Sequence, residues 1–447
     1  MIISEINTDP VIQLCADLVR IDTSNYGPDP RTVGEAEAAE YCVSFLKAHG
    51  YEPTMEVTPE GRANVWLAVE GANPELPTLI VHGHLDVVPA IAADWSVDPF
   101  GGIIKDGYLW GRGTVDMKNM VAMMLTVLAD MKTRNWKPER RVLFLFVADE
   151  EAGGLAGMHK LIDDHPEIFA GATEAISEVG GYSVEVAGRR VYLIQTGEKG
   201  LDWMTLRATG RAGHGSQVNT DNAVTAIARA VAAIGGHRWD MELTPTVERL
   251  LRTVANLVEV EYGTDPETIE RLMVALGPAR AFVEATLSSR ANPTQLDAGY
   301  KVNVIPGEAT AGIDLRPVPG REERDRKLIE EMAGESVTIE SLHRDNGYEV
   351  PFDTDLVDQM LTHLRAEDPE AIIAPYLLSA GTDNKALQRV GVTGYGFVPA
   401  ALPADFDFPA MFHGVDERIP LETLRFGTRV LARFLAGKPY DGPGDSR

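Results

Sequence analysis

Cysteine is almost missing from this chain: Cys15 and Cys42 are the only two among 447 residues. Both fall within helical patterns, so a disulfide framework is excluded and the pair reads as buried core thiols, not as ligands. Long apolar runs are missing too. No stretch approaches the roughly 20 residues that would span a bilayer, and the opening MIISEINTDPVIQL has no basic start followed by an apolar segment. A cytoplasmic protein without a membrane partner is expected. Basic residues are few beside the acids, 41 against 67, for a net charge of −26. That balance repels anionic surfaces and excludes a nucleic-acid partner. It says little about a substrate, because a solvated acidic surface produces the same count.

What is present is an ordinary globular composition, 44% apolar and 24% charged, on a chain too long for one hydrophobic core. Two or three domains are expected. The first third alternates helix and strand. Asp9-Pro10 fits a helix start, followed by Val11, Leu14, Cys15, Leu18 and Val19 at helical spacing. A second helix is predicted over 33–49, with Gly50 as its stop. Strand-like runs follow at 64–69, 78–82 and 141–147, separated by a helix near 120–132. Strands apolar on both faces, alternating with helices, predict a mixed, largely parallel α/β sheet covered by helices. After Gly197 the character changes: 201–209 alternates, 222–234 is helical, and strand patterns return at 301–304 and 310–315. This reads as a small α+β domain inserted in the larger one, with 239–280 as extra helices inside it. Helix–strand alternation resumes from about 321 and ends in a helix near 421–435, before a turn-rich tail.

The residues that carry chemistry stand where apolar strands run out or the chain turns sharply. Leu79-Ile80-Val81 leads into His84 and Asp86, 143–147 leads into Glu150 and Glu151, and Ala175-Ile176 leads into Glu178. Ligand sites in open α/β sheets form at the carboxyl ends of strands, so three strands deliver polar residues to one edge. Asp116 follows Gly111-Arg112-Gly113, a turn able to hold a carboxylate rigidly, and His413 comes from a late loop. Two imidazoles with several carboxylates suit a pair of divalent cations, so the chain reads as a two-metal hydrolase. Asp86, two residues from His84, can orient its imidazole. His82 is either a support for the site or a structural group. In Asp149-Glu150-Glu151, adjacent acids cannot share a strand face, so one binds metal while its neighbour faces water as a general base.

The motifs GHLDVVP (83–89), GRGTVDMK (111–118), DEEAGG (149–154), GEKG (197–200), GHGS (213–216), NVIPGEATAGIDLRPVP (303–319), SAGTDNKAL (379–387) and FHGVDER (412–418) together resemble the M20 family of metallopeptidases. The resemblance runs in order over nearly the whole chain. It implies a zinc-exopeptidase-like catalytic domain in two parts, 1–198 and 320–447, with a ferredoxin-like lid and dimerisation domain inserted at 199–319. It implies two divalent ions, zinc by default with cobalt or manganese as alternatives. His84, Asp116 and Glu178 would hold one ion and Asp116, Glu151 and His413 the other, with Asp116 bridging. Asp86 would orient His84, and Glu150 would be the general base. Members tend to have a cis peptide after the bridging acid, here Asp116-Met117. His214 would reach a neighbouring subunit's site to stabilise the oxyanion, which requires a homodimer. Asn303 and Arg316 would contact substrate, with the guanidinium on a carboxylate, and Gly381 and Thr382 would offer backbone N–H groups to the same anion.

Three departures from the family pattern stand out: Asn119 where glycine is usual, no proline after Ser216, and SEVGGY around Glu178. None removes an implied ligand. The reaction expected is hydrolysis of an amide next to a free carboxylate, in a small peptide or an N-acyl amino acid. The apolar loop 398–412 either lines a pocket for a hydrophobic group or packs on the sheet. Two rival readings are a two-metal phosphoesterase, which lacks a phosphate-binding glycine loop or basic cluster here, and a non-catalytic peptide binder, against which the intact Glu150 argues.

Overall fold

The computed structural model describes residues 9–437. The N-terminal segment before Asp9 and the turn-rich tail from 438 lie outside the described residues. The first helix, Pro10–Arg20, starts at the expected proline.

Among the described residues, ten strands form the main sheet. At its centre Val142–Val147, Thr78–His84, Ala172–Ser177 and Thr393–Gly396 lie side by side and parallel. Antiparallel strands extend both edges: Ala63–Val69 and Thr54–Val57 on one side, and Arg189–Glu198 with its neighbours on the other. Along Val142–Val147, Val142, Phe144 and Phe146 enter the core that contains Leu18, Val121 and Leu431 from three helices. Leu143, Leu145 and Val147 enter a second core with Met158, Leu161 and Leu387. A strand buried on both faces needs apolar residues at every position, which is why this run shows no alternation in sequence. The two cysteines are free and buried, as expected.

A separate four-stranded antiparallel sheet takes its strands from Leu201–Thr209, Arg290–Ala298, Glu308–Arg316 and Val337–Asp345. Helices Ala223–Gly236 and Glu322–Ala333 complete a βαββαβ order, the split βαβ arrangement of ferredoxin-like units. Its core is its own, built from residues such as Leu206, Ile227, Ile313 and Ile329.

Three expectations about this unit need correction. The boundary at 319 cuts the sheet, because Val337–Asp345 pairs with Leu201–Thr209 and so belongs to it. The helices expected inside it at 239–280 do not pack there: Val247, Leu250, Leu251, Val254 and Leu272 join the core of the main sheet. Their amphipathic pattern gave the helices but carries no information about which core receives the apolar face. The strand expected at 301–304 is reduced to Val304–Ile305, paired with Gly213–His214. No helix among the described residues is long and apolar enough to cross a membrane.

Candidate active site

The four central strands run parallel, so their carboxyl ends meet at one edge. His84 closes Thr78–His84 opposite Val147, and Asp149, Glu150 and Glu151 therefore emerge beside it. Glu178 follows Ala172–Ser177 on the other side of the same strand. Asp116 arrives from the turn before helix Lys118–Thr133. Gly113 in that turn has φ 89°, and a Cβ there would stand 2.8 Å from the Val87 side chain, so both backbone angle and space call for glycine. His413 holds a left-handed φ of 58° that turns its ring toward the same edge. The Asp116–Met117 peptide is cis, as the resemblance implies, and Glu178–Val179 is cis as well.

Two triads share Asp116. His84 Nε2 lies 3.1 Å from Asp116 Oδ1 and 3.4 Å from Glu178 Oε1. His413 Nε2 lies 3.4 Å from Asp116 Oδ2 and 3.1 Å from Glu151 Oε2. Each carboxylate oxygen of Asp116 thus faces a different imidazole. Donors about 2.0–2.1 Å from a tetrahedral ion stand about 3.3 Å from one another, so the residues present fit divalent metal in both triads.

The charges point the same way. Burial pushes the Glu178 and Glu151 carboxyls up, and the neighbouring Asp116 pushes them further. Burial also opposes ionised Asp116, but His413 and His84 hold it well below the usual carboxylate range. His413 is raised to about 10 by Asp116 and Glu151. For His84 the cost of burial is outweighed by Glu178, Asp116 and Asp86, which raise it well above an ordinary imidazole. The cluster concentrates negative charge that its two imidazoles do not balance, the condition a bound cation relieves.

Both triads open on a cavity of about 290 Å³ whose lining includes Glu150, Arg316, Gly381 and Thr382. A family model for peptidase family M20/M25/M40 matches residues 80–437. The chain belongs to that family. Among its relatives, the probable carboxypeptidase S-like 2 of Dictyostelium discoideum is 26% identical over 426 residues, covering 86% of this chain and 75% of that protein. Aminoacylase-1 of Homo sapiens is 27% identical over 390 residues, covering 85% and 84%. The crystal structure of an M20 family metallo-carboxypeptidase from Sulfolobus solfataricus shares the fold, with a TM-score of 0.75 at 17% identity over 96% of this chain and 99% of that one. M20 membership makes this chain a metal-dependent amide hydrolase.

Behind the M20 triads, buried groups hold the acids in place. The Asp86 carboxylate accepts the N–H groups of Glu150 and Glu151 at 3.2 and 3.1 Å, and Asn25 at 2.8 Å. This adjusts its expected role: His84 Nδ1 is 2.9 Å from the Asp86 backbone carbonyl but 3.5 Å from its carboxylate. The main chain of Asp86 orients the imidazole, and its side chain orients the Glu150-Glu151 backbone. Asp149, at φ 71°, is fixed by Arg62 at 2.8 Å, which in turn is paired with buried Glu35. Glu417 performs the same service for the Asp116 turn, accepting the amides of Gly113, Val115 and Asp116 and pairing with buried Arg112 at 2.7 Å.

The remaining expected residues divide. Arg316 lines the cavity, with its Nε on Asp314 at 2.7 Å. Thr382 also lines it, but its N–H donates to Glu198 at 2.9 Å and is therefore not free for a substrate anion. His214 and Asn303 are exposed neighbours on the small unit, joined by the Gly215 N–H on the Asn303 carbonyl, and neither lines this cavity. His82 is structural, buried against Asn384 at 3.0 Å, with burial lowering its pKa to about 4. Of the loop 398–412, Phe412 reaches the cavity while Ala400, Leu402 and Phe408 pack into the core. Glu417 lies inside the motif FHGVDER without a pattern of its own to mark it, and Arg62 and Asn25 carry no sequence signal.

Replacing Glu417 with alanine strands the Arg112 guanidinium and three amides. Glu417→Ala is expected to cost about 3–5 kcal/mol of stability and to weaken metal retention. Urea unfolding and metal content check this; an unchanged midpoint would contradict it.

Proposed function

We propose that this M20 hydrolase is dinuclear and cleaves an amide bond next to a free carboxylate, in an N-acyl amino acid or a small peptide. Glu150 is the observation that carries the proposal. It lines the cavity beside both triads and belongs to neither, so a carboxylate is left for proton transfer. His84, Asp116 and Glu178 would hold one ion and Asp116, Glu151 and His413 the other. Zinc suits this mixed nitrogen and oxygen set, and cobalt or manganese would be accepted in its place. Bound metal supplies Lewis acidity toward the scissile carbonyl and toward water.

Glu150 takes the proton from the attacking water and returns it to the leaving amine. Asp86 keeps that carboxylate in reach by anchoring its backbone amide. Arg316 draws the substrate carboxylate to the small-unit side of the cavity. Val179, Leu201, Phe282, Leu378 and Phe412 give the same cavity an apolar wall, which suits a hydrophobic acyl group or side chain. The names of its aminoacylase and carboxypeptidase-like relatives point to the same substrate class. A phosphoesterase or a non-catalytic binder would leave Glu150 and this wall without a use. We place the enzyme in the cytoplasm, in keeping with two free, buried cysteines.

His214 and Asn303 acquire a role in a homodimer. Arg290–Ala298 is an edge strand of the small sheet, and Leu296, Tyr300 and Val302 are exposed on it and just beyond. Pairing of two such edges would cover them and present His214 to the partner's cavity as an oxyanion donor.

Two experiments test this reading. Glu150→Gln is expected to keep its metal and lose at least about 10²-fold in kcat on an N-acyl amino acid; turnover near wild type would remove Glu150 from the role of base. Mixing inactive Glu150→Ala and His214→Ala subunits is expected to restore activity, whereas no recovery after demonstrated subunit exchange would exclude action across the dimer.

A further inference from the structure

Lys385 is the one cationic side chain of the cavity that the mechanism above leaves unused. It stands on the short helix Asn384–Leu387 and lines the cavity, only 8% exposed, with its Nζ buried and without a hydrogen-bond partner. An ammonium carries three donors, and leaving all three unmade away from water is unfavourable. Glu198 supplies a counter-charge from 3.7 Å, beyond hydrogen-bond reach. Glu198 is itself occupied, accepting Thr382 N–H at 2.9 Å, Thr382 Oγ1 at 2.5 Å, and Gln195 and Tyr348 at 3.0 Å each. The cation is therefore balanced in charge and open in hydrogen bonding, the state of a group awaiting an anionic oxygen.

Its surroundings indicate which oxygen. Lys385 and Arg316 line the same cavity, one from the short helix Asn384–Leu387 and the other from the end of strand Glu308–Arg316 in the small sheet. Arg316 has its Nε committed to Asp314. Gly381 leaves the approach open, since a Cβ there would stand 2.8 Å from Lys385 Nζ.

We propose that Lys385 is a specificity-determining residue that donates to the free carboxylate of the substrate from the main-sheet side, opposite Arg316. The inference rests on the substrate class proposed above. Arg316 and Lys385 come from different structural units, so one carboxylate held between them ties the small unit to the main sheet when substrate is bound. Backbone N–H groups at 381–382 are then not needed for that anion, in keeping with the engagement of the Thr382 amide.

The test compares metal-loaded wild type with Lys385→Met, Lys385→Gln and Lys385→Arg on an N-acyl amino acid and on its neutral carboxamide. Wild type is expected to favour the acid strongly. Lys385→Met and Lys385→Gln are expected to lose at least about 50-fold in kcat/KM on the acid, carried by KM, and to stay within about threefold on the carboxamide. Lys385→Arg is expected to recover most of the loss. Turnover of the carboxamide serves as the internal check that each variant is folded and loaded; if Lys385→Met does not fold, Lys385→Gln and Lys385→Arg carry the comparison. Equal losses on both substrates, a loss confined to kcat, or unaltered discrimination would overturn the assignment of Lys385. If wild type itself does not prefer the acid, the proposed substrate class fails first, and the role of Lys385 falls with it.

Discussion

One carboxylate shared by two imidazoles is the constraint on which this active site depends. Asp116 Oδ1 faces His84 and Asp116 Oδ2 faces His413, so any shift of this side chain disturbs both triads at once. The chain spends much of its local architecture on holding it. A glycine turn permits the approach, Glu417 gathers three amides of the turn, and Arg112 neutralises Glu417 in the interior. The other proposed ligands are simpler to place, because parallel strands bring their ends to one edge and His84, Glu151 and Glu178 need only follow them.

The cost of this arrangement is electrostatic. Buried carboxyls crowd around Asp116, and burial together with mutual repulsion raises Glu150, Glu151 and Glu178. Two successive backbone amides donate to the Asp86 carboxylate and fix where Glu150 and Glu151 point, which lets residues adjacent in sequence take the separate tasks proposed for them. Function here follows from geometry that assigns different tasks to similar groups. The second structural unit completes the cavity, since Arg316, Trp203 and His343 from the small sheet line it together with residues of the main sheet.

Much of this was legible in the sequence. Acids and a histidine at the ends of apolar strands placed His84, Glu150, Glu151 and Glu178 at one edge, because in a parallel sheet strand order does not alter the edge to which carboxyl ends point, whereas Asp116 and His413 come from turns and were singled out by their motifs. The limits of the small unit were not legible. Its last helix and strand, Glu322–Ala333 and Val337–Asp345, continue the same alternation as the main sheet, and only pairing with Leu201–Thr209 reveals where they belong. Helices over 239–280 were visible as helices, yet the core they enter depends on a long-range fold. Glu417, Lys385 and Arg62 resemble ordinary surface charges until burial and partners are known. His214 and Asn303 are the opposite case, suggested by the motif and left exposed by the single chain.

The claim that Asp116 serves two ions is tested most directly by counting metal per chain in purified variants reloaded with zinc. The account predicts about two ions in the wild type, about one in His84→Ala and in His413→Ala, and none retained in Asp116→Ala. A wild type holding a single ion, or an Asp116→Ala chain that keeps one as firmly as the histidine variants do, would contradict it.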